Sequence, residues 1–165
     1  MESFLIEGGQ PLKGSITPQG AKNEALQILC AVLLTPETVN IKNIPDIVDV
    51  NKLIQLLKNF GVVVEKIDSG FYRFNAKDVN LSYLSSEQFK EDGKGLRGSI
   101  MLVGPLLARF GKGSIPRPGG DKIGRRRLDT HFDGLIKLGA EFNYNQEDYF
   151  YSVEAKQLKG TNLLL

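Results

Sequence analysis

The chain has 165 residues, 41% hydrophobic and 24% charged, with 21 Lys and Arg against 19 Asp and Glu for a formal charge of +2. That length supports one good core or two small ones, and the composition excludes a disordered, fibrous or helix-spanned membrane protein. One cysteine (Cys30) and one histidine (His131) exclude an internal disulfide and the usual zinc clusters, and the near-neutral balance leaves any role toward anions to a local patch.

The start, MESFLIEGG, carries no basic segment followed by an apolar core, so a cytoplasmic location without membrane attachment is the expectation. Residues 4–6 and 12–17 are short strand candidates, stopped by Pro18 and Gly20. Residues 21–34, AKNEALQILCAVLL, are apolar almost all round, which predicts a buried helix ended by Thr35-Pro36, with Cys30 as a small core residue. Lys22 places a cation in that helix's first turn, against the macrodipole. Either it snorkels to solvent or it is there to hold an anion, with Asn23 beside it.

A strand is predicted over 39–41. Ile47, Val50, Leu53, Ile54 and Leu57 then share one helical face, with Asp46 available as the cap and Gly61 as the stop. Residues 62–65 and 71–75 flank Asp68-Ser69-Gly70 as a β-hairpin. The polar stretch 85–95 is the best linker candidate, and residues 96–110 resume a helical pattern that Pro105 must kink or restart. A strand ending at Ile115 leads into IPRPGGDKIGRRRLD, where fifteen residues hold five cations (Arg117, Lys122, Arg125, Arg126, Arg127), two acids, two prolines and three glycines. Such a strand-to-helix loop sets positive charge beside a helix N-terminus and suits an anionic ligand. A solvated basic loop is the alternative. Leu128, Phe132, Leu135 and Ile136 form the next helical face, Gly139 stops it, and 141–144 with 150–154 repeat the hairpin.

The second half repeats the first. Aligning residues 21–41 with 95–115 places Leu33 on Leu107 and Ile41 on Ile115, an offset of 74; Gly61 then falls on Gly139, an offset of 78. The four extra residues lie between Ile115 and Gly139, where the basic loop is, as expected when function sits on a loop over a duplicated scaffold. The same offset puts Arg97 at the position of Asn23, so both copies carry polar, anion-capable residues at one corner. GKGLRG (93–98) fits G-x-G-x-x-G in form only, because no buried strand precedes it. The loop lacks the interleaved aromatics on which single-stranded bases stack, which weakens an RNA-binding reading. His131, on the predicted helix after Asp129, suits a capping or structural role better than proton transfer.

GAKNEAL (20–26), LRGSIMLVGPLLARFG (96–111) and PGGDKIGRRRLDTH (118–131) resemble the enolpyruvyl transferase family. The likeness is greater to its branch acting on UDP-N-acetylglucosamine than to its shikimate 3-phosphate branch. The resemblance implies an α/β (α+β) fold of repeated βαβαββ units, part of an inside-out α/β barrel. Residues 1–20 would be N-terminal strands that pack with a second domain, 21–90 a first repeat, and 91–165 a second repeat carrying the catalytic loop 115–129. A third repeat and the second domain would lie in further chain. The implied reaction transfers enolpyruvyl from phosphoenolpyruvate to a sugar 3-hydroxyl and begins peptidoglycan synthesis, with no cofactor and no nucleic-acid partner.

By the same resemblance Lys22 and Arg97 contact phosphoenolpyruvate and Asn23 the UDP-sugar. Arg126 lies near phosphoenolpyruvate, and Arg126, Arg127, Leu128, Asp129 and Thr130 form the segment that meets the nucleotide-sugar. Asp121 stands where most members have the cysteine alkylated by the epoxide fosfomycin, and it would be the acid of the reaction, in a fosfomycin-insensitive protein. Arg127 departs from the proline usual there. The non-enzymatic alternative is a two-repeat anion- or RNA-binding module.

Overall fold

Helices and strands alternate in the same order twice. The computed structural model describes residues 3–9, 11–117, 127–147 and 149–163. The first unit runs α1 (Lys22–Ala31), β1 (Thr38–Ile41), α2 (Val48–Asn59), β2 (Val63–Asp68) and β3 (Phe71–Asn75). A 3₁₀ turn (Leu81–Ser85), α3 (Glu87–Lys94) and a second 3₁₀ segment (Arg97–Leu102) connect it to the next. The second unit runs α4 (Val103–Phe110), β4 (Lys112–Pro116), α5 (Asp129–Lys137), β5 (Glu141–Asn145) and β6 (Phe150–Glu154).

Each unit closes its own antiparallel three-stranded sheet, ordered β1-β3-β2 and β4-β6-β5, with the last strand in the centre. The duplication extends to the turns. Gly61 and Gly139 both take a left-handed φ, 90° and 98°. At both, the glycine amide bonds back to a helix carbonyl at 2.8 Å (Lys58, Ile136), and the next amide reaches the residue before it (Val62 to Leu57, Ala140 to Leu135). Glycine ends these helices because a Cβ penalises that conformation.

Both units share one core, from Leu29, Leu33 and Phe74 in the first to Leu106, Ile115 and Phe132 in the second. Cys30 belongs to it, and burial pushes its thiol up, away from reactivity. Arg109 fastens the units together: one guanidinium nitrogen donates to the carbonyls of Leu33 (3.0 Å), Thr35 (3.1 Å) and Ala76 (2.8 Å).

Four local expectations are corrected, and a fifth, an interruption of the helical run at Pro105, is met. Residues 4–6 and 12–17 form no strand; Phe4, Leu5, Ile6, Leu12 and Ile16 are almost wholly exposed and lack a sheet edge to pair with, so the described units read αβαββ. The stretch 85–95 is α3 rather than a linker: Ser86 caps it, its Oγ accepting from the Phe89 amide at 3.1 Å, and Phe89 is fully buried. Asp46 does not cap α2, since its carboxylate accepts instead from the Asn51 side chain at 2.7 Å. α1 is one-sided, with Ile28 and Leu34 exposed and its last turn tightened to 3₁₀ at Val32–Leu34. The helix predicted over 96–110 divides: Pro105 sits in the first turn of α4, where no backbone N–H is required, and the residues before it wind as 3₁₀.

Candidate active site

α1 begins after Ala21, an extended residue that offers no side-chain cap, so the first amides of the helix face outward beside Lys22 and Asn23. The Lys22 ammonium pairs with the Asp49 carboxylate of α2 at 3.0 Å. That pair offsets the unfavourable placement of a cation at a helix N-terminus. Leu26, one turn along the same face, packs on Gly98, where an added Cβ would lie 3.1 Å from its Cδ1. The contact sets the start of α1 beside Arg97, the first residue of the 3₁₀ segment and half-buried.

Gly93 and Gly98 of GKGLRG therefore serve packing. A Cβ on Gly93 would meet the Pro116 ring at 2.6 Å, so Gly93 lets α3 press on the end of β4. That end aims Arg117. Its amide donates to the Tyr149 carbonyl at 2.7 Å, and its guanidinium lies 5.9 Å from the centre of the Tyr149 ring.

Arg97 and Arg117 line an open cleft of about 640 Å³ together with Arg127, Leu128 and Asp129. Phe132, Ile136, Phe142 and Tyr151 give it an apolar floor, in which Phe132 stacks on Tyr151 at 5.2 Å between ring centres. Three arginines against two carboxylates, Asp129 and Asp133, leave the cleft net cationic beside a flat aromatic surface, a combination that suits a ligand with anionic groups and an apolar face. Arg127 holds Asp129 through Nε (2.7 Å) and through Nη2. This hydrogen bond keeps the Asp129 carboxyl below its ordinary value against the opposing effect of desolvation, and it raises the Arg127 value in turn.

Of the residues predicted to bind substrate, Arg97, Arg127, Leu128 and Asp129 share this cleft. Thr130 stands exposed in the first turn of α5, and Lys22 and Asn23 occupy the adjoining corner rather than the cleft wall. Asp121 and Arg126 lie outside the described residues. His131 is exposed on α5, where its amide bonds to the Leu128 carbonyl. Sequence reasoning counted Arg117 only as loop charge and took Phe132 only as a helix-face residue. The alternation of β5 and β6, which aims Phe142 and Tyr151 at one face, was the signal available for the floor.

The described residues contain no cluster of His, Cys, Asp or Glu able to hold a metal ion and no helix long and apolar enough to cross a membrane. A UDP-N-acetylglucosamine 1-carboxyvinyltransferase of Bacteroides fragilis is 59% identical over all 165 residues, and one of Treponema denticola is 39% identical over the same span. The chain spans 38% and 37% of the length of those relatives. Among solved structures, the enolpyruvyl transferase NikO from Streptomyces tendae matches 92% of this chain and 32% of its own, with TM-score 0.71 at 19% identity. An EPSP synthase from Acinetobacter baumannii matches 90% of this chain and 33% of its own, with TM-score 0.62 at 18% identity. These likenesses carry the fold, two copies of one unit in the enolpyruvyl transferase arrangement. The model of the EPSP synthase (3-phosphoshikimate 1-carboxyvinyltransferase) family matches residues 6–164, nearly the whole chain, and the chain belongs to that family.

Proposed function

We propose that the protein to which this chain contributes transfers the enolpyruvyl group of phosphoenolpyruvate to the 3-hydroxyl of UDP-N-acetylglucosamine, releasing phosphate, as the committed entry to cytoplasmic peptidoglycan synthesis. The reading is carried by Arg97, Arg127 and Asp129 meeting at one cleft, in a chain 59% identical to a relative whose name states that activity. The shikimate branch is less favoured, because the two EPSP synthase structures from Acinetobacter baumannii that match are 18% identical.

In this reading the sugar 3-hydroxyl gives its proton to a base that the further chain supplies and adds through oxygen to C2 of phosphoenolpyruvate, while a proton is delivered to C3. The resulting tetrahedral intermediate then loses a C3 proton and expels phosphate, forming the vinyl ether of the product. Lys22, Arg97 and Arg126 hold the phosphate and carboxylate, and the charge they neutralise is greatest as phosphate departs. Asn23 and the segment from Arg127 to Thr130 hold the nucleotide-sugar, and Asp121 supplies and recovers the proton. Residues 21–90 and 91–165 act as two repeats of the first domain, and further chain supplies a third repeat, the second domain and the facing wall of the cleft. Residues 1–20 pack against that second domain.

The test is phosphate release from phosphoenolpyruvate by the full-length gene product, offered UDP-N-acetylglucosamine and shikimate 3-phosphate in parallel. Release with the UDP-sugar alone is expected, and release with shikimate 3-phosphate alone would overturn the assignment. Release with neither, joined to RNA binding that falls steeply with salt, would favour the binding module.

A further inference from the structure

Arg117 differs from Lys22 and Arg127 in how it is held. Lys22 is paired with Asp49 and Arg127 with Asp129. Arg117 has no carboxylate within ion-pairing distance among the described residues; what holds it is the face of Tyr149. Its backbone is fixed as well. The bond from its amide to the Tyr149 carbonyl carries the β4–β6 ladder one step past the Pro116–Phe150 pair. Tyr149 itself takes a left-handed φ of 51°, a conformation uncommon for a bulky residue and usual for Gly or Asn at such a hairpin tip. That backbone places the Tyr149 ring under the guanidinium, which thereby loses part of its rotamer freedom before any ligand arrives.

We propose that Arg117 is an anion ligand of the cleft, donating to a phosphate or carboxylate oxygen of a bound substrate, and that Tyr149 is the positioning residue that aims it. The identity of the substrates rests on the proposed transferase function; the anion site does not. A planar guanidinium that rests against the Tyr149 ring and lines one cavity with Arg97 and Arg127 provides the fork geometry that carboxylate and phosphate groups match.

The experiment uses the full-length protein with Arg117→Gln, Arg117→Lys and Tyr149→Asn. Asparagine tolerates the left-handed backbone while removing the ring, so it separates aim from fold. For Arg117→Gln the KM of one substrate rises about tenfold or more with kcat little changed, the effect expected for losing one charge-assisted hydrogen bond. Arg117→Lys gives an intermediate rise. Tyr149→Asn raises the same KM about threefold without lowering the melting temperature. A rise for phosphoenolpyruvate assigns the anion to the donor, and a rise for UDP-N-acetylglucosamine assigns it to the diphosphate. If Arg117→Gln leaves both KM values within about twofold of wild type, Arg117 is a surface cation and the proposal is wrong. If the wild type transfers to neither acceptor, the transferase reading falls, and inorganic phosphate titrated into both proteins decides the site by itself. Binding weakened about fivefold or more by Arg117→Gln supports it, and equal binding overturns it.

Discussion

At the residue scale, the Lys22 ammonium stands against the dipole of α1 and is balanced by the Asp49 carboxylate of α2 at 3.0 Å. Lys22 stood out because a cation opposes the helix dipole, yet its partner, Asp49, lies 27 positions away on α2, where no local pattern could reveal it. Arg127 stands where the resemblance expects proline, and its Nε and Nη2 both donate to one oxygen of Asp129, Oδ2, which ties Arg127 to the first turn of α5. Because the Asp129 carboxyl is held below its ordinary 3.8, that tie is complete at neutral pH and is lost as pH falls through the lowered value. An NMR titration of Asp129 should give a midpoint below 3.8, and Arg127→Gln should return it to the ordinary range. In the proposed mechanism Asp121→Asn should lower kcat about 100-fold or more, the scale of a general acid. Turnover at the wild-type rate would remove Asp121 from the chemistry. Fosfomycin should leave no adduct on this loop by mass spectrometry, since a carboxylate opens an epoxide far less readily than a thiolate.

Elements with a strong period were visible in the sequence, and those made by tertiary contact were not. α2, α5 and both hairpins follow from spacing and from the glycines that stop each helix. α3 was mistaken for a linker because its one large apolar residue, Phe89, is hidden among charges. Its polar side pairs partly within the helix, Gln88 donating to Asp92 at 2.8 Å, and partly with distant residues, Asp92 also accepting from Asn59 at 2.8 Å and from Tyr83. The same helix presses Gly93 on Pro116, and Gly93→Ala should push α3 off β4 at a cost of about 1–3 kcal/mol, the usual scale of overpacking. A crystal structure of that variant should show the end of β4, and Arg117 with it, displaced. Arg109→Met removes the three carbonyl contacts between the units at about 2 kcal/mol. Native-state hydrogen exchange should then quicken roughly 30-fold at the junction of the units while distant amides are unaffected.

At the scale of the molecule, the offset arithmetic anticipated a duplication that the two sheets and the two glycine-stopped helices display. It could not foretell that the first strands would find no partner, because strand formation depends on an edge that the described residues do not provide. Ile28 on α1, Leu34 in the 3₁₀ turn after it, Ile136 on α5 and Phe4, Leu5, Ile6, Leu12 and Ile16 are all exposed. In the proposed arrangement the rest of a longer protein covers them. The 165-residue piece alone should therefore bind a hydrophobic dye and show no transfer activity, whereas the full-length protein should do the reverse. The claim on which the account turns is that the corner of α1, the 3₁₀ segment bearing Arg97 and the ends flanking the basic loop converge on one anionic substrate. A crystal structure of the full-length protein with phosphoenolpyruvate and UDP-N-acetylglucosamine tests it most directly. The account predicts phosphate or carboxylate density bridging Lys22 and Arg97 and opening onto the cleft lined by Arg117 and Arg127; substrate density on another face, with these cations unengaged, would contradict it.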